Sequence, residues 1–311
     1  NDWQTALVSA YLKLKFKDDL FFQRKAAIYS IHNMEYLGLF PKDKFPATGL
    51  ESSVFTPEGL EFWGKIALAK AGLVYADAIN TVSETYAQEI QTPEFGVGLD
   101  GLLRARAKDV YGIINGIDYA VWNPATDQNI PKRYSPATVS LKVENKLELQ
   151  KQNNLPVDKN IPVIGLISRL TDQKGLDILT AALPEILKLD LQLVILGTGE
   201  PKYHKLMPQL QKKYPKKLGI NLKFDAMLAE LIYAGSDLFL MPSRYEPCGL
   251  GQLISFKYGT IPIVRQTGGL ADTVHAGEGF IFTGYDAKSL VDAIHRAIAA
   301  FQHKNLWTEM Q

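Results

Sequence analysis

The sequence predicts an α/β fold in which short parallel strands alternate with helices. Apolar runs of strand length, such as residues 163–167 and 238–241, are separated by stretches whose apolar residues recur at helical intervals. Glycine-containing loops follow several of these runs directly. This alternation is typical of strand–helix–strand units, and 311 residues with 46% apolar content suffice for one or two domain cores.

The composition excludes several classes of protein. Lys and Arg total 34 and Asp and Glu total 33, so there is no overall basic field for nucleic acid. The one cysteine excludes an internal disulfide and fits a reducing compartment. No apolar run is long enough to span a bilayer, and no signal peptide is recognisable at the start.

The first part of the chain is predicted to begin with a helix at residues 1–12, capped by Asn1 or Asp2. A buried strand at 25–31 then ends at His32 and Asn33. A single His after a strand is more often structural, but carboxyl ends of strands also face ligands. The other predicted elements are a helix at 58–72 with Leu60, Trp63 and Ile66 on its packed face, a strand at 78–82 followed by the capping residue Ser83, a turn at 96–101 with no helix beside it, and a strand from 110 to the Asn115-Gly116 turn.

The second part is predicted to begin with an amphipathic helix at 137–152, whose many Lys and Glu residues form a solvated face. After the strand at 163–167, Arg169 and Lys174 leave the strand end together, and Gly175 opens the next helix. Such cations are usually ordinary surface residues, but two of them beside a helix N-terminus suit a diphosphate. Further strands are predicted at 191–196 and at 221–224, which includes Phe224.

Residues 237–274 read as strand, loop, helix, strand, loop and helix. The first loop offers the carboxylate of Glu246, near which only Arg244 is cationic in the sequence. The second offers the backbone N–H groups of Gly268 and Gly269 as a bare anion site. A carboxylate can bind sugar hydroxyls, and the neighbouring amides can bind phosphate. Together they predict a phosphorylated sugar ligand. Cys248 is rejected as a nucleophile because no base is paired with it.

These segments resemble the glycogen and starch synthases that use ADP-glucose. The resemblance rests on NDW, IHNMEYLG, ADAINTVSETYAQEI, NGIDYAVWNP, SRLTDQKGLD, EPCGL, YGTIPIV and TGGLADTV. It implies two Rossmann-like α/β domains with parallel sheets facing each other across a crevice (GT-B type). Residues 1–116 would be a partial acceptor-side domain and residues 117–311 the nucleotide-sugar-binding domain.

The resemblance also implies the roles of individual residues. His32 would lie against the reacting sugar, Arg169 and Lys174 would hold the donor phosphates, and Glu246 would bind glucose hydroxyls. Phe224 matches an aromatic residue that contacts adenine, although a core position is equally expected for a Phe. The other implied substrate-binding residues are Asp2, Asn33, Asn115, Cys248, Gly249, Leu250, Thr267, Gly268 and Gly269.

The implied reaction is transfer of glucose from ADP-glucose to the non-reducing end of an α-1,4-glucan with retention. No Asp-rich metal motif is present, so no metal or other cofactor is expected. The alternatives are an enzyme on the same plan that uses UDP-glucose or epimerises a sugar, and a non-catalytic glucan- or nucleotide-sugar-binding relative. Retention of Glu246, Arg169, Lys174 and His32 disfavours the last of these.

The chain departs from the family pattern at both ends. The family's N-terminal Lys-x-Gly-Gly loop and its C-terminal bracing helix have no counterpart, and the connection at 275–278 is short. We therefore expect a fragment of a longer enzyme, incomplete for catalysis. The resemblance places such an enzyme in the bacterial cytoplasm or the plastid stroma.

Overall fold

The computed structural model describes all 311 residues, which divide into two compact units, Asn1–Asn115 and Gly116–Gln311. None of the helices has both the length and the apolar character needed to cross a membrane.

The first unit contains a parallel sheet and a small antiparallel sheet. The parallel sheet has the strand order β1-β5-β6 and the antiparallel sheet the order β2-β4-β3. The strands are β1 (Ile28–Ile31), β2 (Leu39–Pro41), β3 (Glu61–Phe62), β4 (Lys65–Ala67), β5 (Ala78–Thr81) and β6 (Val110–Gly112). The helices are α1 (Asp2–Thr5), α2 (Leu7–Ala10), α3 (Leu68–Tyr75), α4 (Glu84–Glu89) and α5 (Asp100–Ala105), with a π-helical turn at Tyr11–Lys15 and 3-10 turns at Lys42–Thr48, Ser52–Val54 and Ala107–Asp109.

The helix predicted at 58–72 is wrong over its first part, because residues 61–67 form the β3–β4 hairpin and α3 begins only at Leu68. Trp63 and Gly64 form its two-residue turn with φ angles of 53° and 77°, as a type I′ turn requires. A bulky residue in the left-handed backbone region costs roughly 1–2 kcal/mol, so sequence propensity disfavours Trp at this position. Leu60 and Ile66 are buried as expected, whereas Trp63 is 84% exposed.

Three other local predictions have mixed outcomes. Ser83 caps α4 as predicted, its side chain accepting the Tyr86 N–H at 3.0 Å. The loop at 96–101 was expected to have no helix beside it, but α5 begins at Asp100. The predicted first helix is broken into α1, α2 and the π-helical turn, and Asn1 makes no side-chain cap.

The second unit is built on a six-stranded parallel sheet with the order β12-β11-β10-β7-β8-β9, which confirms the predicted α/β fold. The strands are β7 (Val163–Ile167), β8 (Gln192–Leu196), β9 (Leu218–Asn221), β10 (Leu238–Met241), β11 (Ile261–Arg265) and β12 (Phe280–Phe282). The helices are α6 (Lys142–Gln152), α7 (Leu176–Ile186), α8 (Pro201–Lys213), α9 (Ala226–Gly235), α10 (Gly251–Lys257), α11 (Gly268–Thr273), α12 (Ala287–Phe301) and α13 (Lys304–Met310), with 3-10 turns at Pro136–Leu141 and Asp172–Lys174.

Successive side chains of the central strands enter cores on opposite faces of this sheet. Ile164 and Leu166 of β7 pack with α7 and α12 residues on one face. Val163 of β7 and Phe239 of β10 pack with α6 and α9 residues on the other. Helices therefore cover both faces, which explains why the strands read as continuous apolar runs.

Helix α6 corrects part of the expectation of a solvated Lys and Glu face, since Glu144 and Lys151 are exposed as predicted but two other lysines are not. Lys142 and Lys146 are buried. The Lys142 ammonium donates to the carbonyls of Tyr233 and Ala234 and to the Thr260 hydroxyl, at 3.0, 2.7 and 2.7 Å. Lys146 forms an ion pair with Asp237 at 2.7 Å. These partners are distant in sequence, so the helical pattern alone could not reveal that the lysines point inwards.

Candidate functional site

The loops predicted to bind ligand follow three adjacent strands of the second unit. Strands β7, β10 and β11 are neighbours in the sheet, and each pair is parallel. The loop after β7 carries Arg169 and Lys174, the loop after β10 carries Glu246, and the loop after β11 leads to Thr267. Ligands of open α/β sheets bind at this carboxyl edge.

Lys174 and Glu246 form the centre of this region. The Lys174 Nζ donates to both carboxylate oxygens of Glu246, at 2.9 and 2.7 Å, and the Ser243 hydroxyl donates to one of them at 2.9 Å. Glu246 is only 6% exposed. The sequence suggested no cation close to Glu246 except Arg244. That interpretation is corrected, because Lys174 is brought there from the neighbouring strand.

The loop that carries Lys174 is fixed at several points. Gly175 has a φ of 74°, and a Cβ there would lie 2.0 Å from the Pro242 carbonyl oxygen, so only glycine fits without rearrangement. Lys202 pairs with the Asp172 carboxylate at 2.6 Å. Hydrogen bonds from Lys202 and Tyr203 hold the pKa of Asp172 below its usual range. The loop is therefore held on both sides of the Lys174 side chain.

Two further residues complete the support of this loop. The Tyr285 hydroxyl lies 2.8 Å from the Asp172 carbonyl oxygen and 2.5 Å from the Asp177 carboxylate, so these two acceptors share its one proton. Arg169 is exposed, and its guanidinium donates to the Gln173 side-chain oxygen at 3.0 Å. Both predicted cations thus leave the same short loop.

A cavity of ≈ 140 Å³ opens at the Lys174–Glu246 pair. Gly249 and Leu250, which were predicted to bind substrate, also line it. A partly charged, partly apolar lining of this kind suits a polar ligand with hydroxyl and phosphate groups. The structure therefore brings four of the predicted residues to one cavity.

The expectation of bare N–H groups at Gly268 and Gly269 is wrong for Gly269. Its N–H donates to the carbonyls of Glu246 and Pro247 at 3.0 and 3.2 Å, and Gly268 also has a partner. A Cβ on Gly269 would lie 2.1 Å from the Cys248 carbonyl oxygen. These glycines join the β10 and β11 loops by close backbone packing, and Thr267 and Cys248 are buried beside them.

In the first unit, Asp2 and His32 are in contact. The Asp2 carboxylate accepts the His32 backbone N–H at 2.8 Å, and the His32 Nε2 lies 3.3 Å from the Asn1 side-chain oxygen. The Asn33 side-chain oxygen accepts the Glu35 N–H at 3.0 Å, which forms a local turn. The Asn1-Asp2 segment and the end of β1 thus meet.

Two predicted residues are separate from these contacts. Phe224 is 92% exposed and lies beyond β9, which ends at Asn221, so the predicted strand at 221–224 and the core alternative are both wrong. Its ring is free to contact a ligand. Asn115 is the last residue of the first unit and is partly exposed beyond β6.

Sequence reasoning missed several residues that support the site. Ser243 could have been found, because it precedes Glu246 by three positions in the same loop. Tyr285 and Lys202 gave no signal, because their contacts with the 172–177 segment join positions far apart in the chain. No group of His, Cys, Asp or Glu side chains in the structure is arranged to hold a metal ion.

Two family models match the chain. Residues 1–105 match the model described as starch synthase catalytic domain, and residues 146–308 match glycosyl transferases group 1. The chain is 52% identical over 311 residues to the glycogen synthase of Thermosipho africanus, covering 98% of this chain and 64% of that protein. It is 51% identical to the glycogen synthase of Thermotoga maritima, covering 99% and 65%.

A solved structure agrees with these matches. The catalytic domain of starch synthase IV from Arabidopsis thaliana, bound to ADP and acarbose, superimposes with a TM-score of 0.90 at 32% identity. The match covers 100% of this chain and 68% of that one. The chain thus spans about two thirds of the length of these relatives.

Proposed function

Because the chain belongs to the glycogen and starch synthase family, we propose that it is the larger part of a retaining glucosyltransferase. The proposed reaction transfers glucose from ADP-glucose to the non-reducing end of an α-1,4-glucan. The observation that carries the proposal is the Lys174–Glu246 pair at the carboxyl edge of β7 and β10, beside a cavity. It combines a cation for phosphate with a carboxylate for sugar hydroxyls.

Lys174 and Arg169 would stabilise the negative charge that grows on the departing diphosphate. Both leave the loop after β7, and Lys174 is held in place before any ligand binds. Pre-organised donors of this kind are effective because they need not reorient during the reaction, and losing one typically costs about 2.7–4 kcal/mol of barrier. The family membership supports the phosphate role, and the fixed loop geometry supports its strength.

Glu246 would orient the glucose hydroxyls and balance positive charge near the anomeric carbon. Retaining glycosidases use two carboxylates that flank the scissile bond. The loops here offer Glu246, with His32 as the implied counterpart in the first unit. This set favours displacement on one face of the sugar, in which the leaving phosphate takes the acceptor proton.

Other residues would bind the two substrates. Asp2, Asn33 and Asn115 are proposed to contact the donor sugar, as the resemblance implies. The exposed ring of Phe224 is available to stack on adenine. Thr267, Gly268 and Gly269 are proposed to shape the phosphate site mainly through backbone packing, together with Cys248, Gly249 and Leu250.

The crevice between the two domains, the boundary at residue 116 and a location in the bacterial cytoplasm or plastid stroma remain predictions. Two alternatives to the proposed activity also remain: an enzyme that uses UDP-glucose, or a non-catalytic relative that binds glucan or a nucleotide sugar.

The deciding experiment is transfer of radiolabelled glucose to a maltooligosaccharide by the full-length protein. ADP-glucose and UDP-glucose are supplied separately and then in competition. We expect efficient transfer from ADP-glucose and weak inhibition by UDP-glucose. Preference for UDP-glucose would support the first alternative, and binding without transfer from either donor would support the second.

A further inference from the structure

Trp63 occupies a position that local backbone energetics disfavour. It is the first turn residue of the β3–β4 hairpin and has a positive φ of 53°. Asn-Gly is the preferred sequence for such a turn, so a hairpin with Trp-Gly is less stable than one with Asn-Gly. Its indole is 84% exposed and contacts Phe62 edge-on at 6.2 Å between ring centroids. Backbone strain of this kind indicates that Trp63 has a functional role rather than a role in stabilising the fold.

A cleft of ≈ 460 Å³ lies beside the two rings. A Cβ on Gly98 would lie 3.1 Å from the Phe62 ring and 3.8 Å from the Trp63 Nε1, so both rings border this glycine. Glu58 and Glu61 also line the cleft. The cleft therefore combines an aromatic wall with carboxylates.

A buried cation also lines the cleft. The Lys70 Nζ donates to the carbonyls of Pro57 and Glu61, at 2.5 and 2.6 Å. The Glu61 carboxylate accepts the Gly64 N–H at 2.7 Å, which fixes the turn that presents Trp63. The turn that carries Trp63 and the Glu61 carboxylate are thus in place before a ligand binds, which lowers the entropy cost of binding.

This combination suits a sugar chain. One face of a glucose ring is lined by C–H groups and can lie on an indole, while the hydroxyls around its edge donate to carboxylates. Glu58 and Glu61 disfavour a nucleotide or other polyanion, because the one cation of the lining, Lys70, already donates to backbone carbonyls. The chemistry favours a neutral, hydroxyl-rich polymer.

We propose that Trp63, Phe62, Glu58 and Glu61 form a glucan-holding site in the first unit. The inference rests on the proposed function, since it takes the α-1,4-glucan acceptor as the ligand. None of these residues belongs to the set proposed for glucose transfer, so the site would retain the polymer and take no part in the chemistry.

The test uses the full-length protein and measures affinity for glycogen by affinity electrophoresis and for β-cyclodextrin by calorimetry. Trp63→Asn removes the ring and installs the residue that the turn prefers, so Tm should not fall. We expect at least about a tenfold loss of affinity for both ligands, the scale of a buried tryptophan contact. Glu58→Gln should weaken both by a smaller factor.

Tyr111→Asn is the matched control, because it removes an exposed aromatic ring of the same unit outside the cleft. It should leave both affinities unchanged. Unchanged affinity in Trp63→Asn, or an equal loss in Tyr111→Asn, would overturn the proposal.

The two proposals fail separately. Transfer from ADP-glucose by a protein whose Trp63→Asn variant binds glycogen normally would refute only the glucan-holding site. Trp63-dependent glycogen binding without transfer would refute only the transferase.

Discussion

Lys174 and Glu246 are 72 residues apart in the sequence, yet the Lys174 ammonium donates to both Glu246 carboxylate oxygens, at 2.9 and 2.7 Å. The proposed phosphate-binding cation and the proposed sugar-binding carboxylate are therefore one ion pair. Each residue partly neutralises the charge that the other presents to a ligand. Substitutions of either one should show this coupling.

Glu246→Gln should lower kcat strongly while leaving donor affinity within a few-fold. The amide keeps the size and part of the hydrogen bonding, but it removes the charge that would balance the anomeric carbon in the transition state. Glu246→Ala should lose both activity and affinity. The measurements are donor titration and single-turnover transfer. Turnover of the Gln variant at the normal rate would reduce Glu246 to an orienting hydrogen-bond acceptor.

Lys174→Ala and Arg169→Ala should each lower kcat/KM by at least about a hundredfold in the full-length protein, because each removes charge stabilisation of the leaving diphosphate. Lys188→Ala is a suitable control, since this exposed lysine pairs only with Glu185 on the surface. Steady-state kinetics with ADP-glucose measures the effect. A near-normal value for Lys174→Ala or Arg169→Ala is incompatible with the proposed phosphate clamp.

Gly175→Ala should destabilise the second unit by at least ~2 kcal/mol, because it adds a clash with the Pro242 carbonyl to the strain of a positive φ. Gly277 also has a positive φ, of 95°, but its surroundings are open, so Gly277→Ala reports the strain alone. Urea unfolding of both variants gives the difference. Equal losses of unfolding free energy in the two variants would show that the backbone at Gly175 relaxes and removes the clash with Pro242.

Lys142→Met should change the dependence of stability on pH. Burial lowers the pKa of Lys142 to about 7, while the Asp237 carboxylate opposes this shift. An unfolded lysine has a pKa of about 10.4, so between these values the unfolded chain binds more protons than the native one. Native stability therefore rises with pH in this window, by up to about 1.4 kcal/mol per pH unit from this residue.

The Met variant lacks this rise, although it loses the hydrogen bonds of Lys142 at every pH. The difference in unfolding free energy between wild type and variant should thus increase from pH 7 towards pH 10. Urea unfolding at pH 7, 8 and 9.5 measures it. Parallel pH profiles would mean that Lys142 keeps its proton in the native state.

Transfer should persist in excess EDTA. The proposed site supplies fixed cations at Arg169 and Lys174, and no side-chain group is arranged to hold a metal ion. Initial rates with and without EDTA should agree within error. Loss of activity that added Mg²⁺ restores would show that the diphosphate needs an ion.

The sequence predicted the second unit better than the first. Strands β7 and β10 were found at their observed bounds because burial on both faces makes them uninterrupted apolar runs. Strands β3 and β4 are too short for such a signal, and their Trp-Gly turn is not a favoured hairpin sequence, so a helix was predicted there. The local sequence pattern therefore predicts long buried strands correctly. It fails where a turn is made by residues that such turns do not prefer.

The site was predicted as a set of residues, but its contacts were not. The strand-end positions of Arg169, Lys174 and Glu246 followed from the order of elements. The ion pair between Lys174 and Glu246 did not, because it depends on the register of β7 against β10. The assignment of the Gly269 N–H to an anion failed for the same reason. The carbonyls that accept this N–H belong to a neighbouring loop, whose position the sequence does not reveal.

The bond from Gly269 to the carbonyls of Glu246 and Pro247 has a mechanical consequence. With no side chain at Gly269, the backbones of two loops touch, and neither loop can swing without breaking the contact. A bound sugar nucleotide would therefore contact one rigid surface. Any motion that closes the site would have to move the Glu246 loop and α11 together.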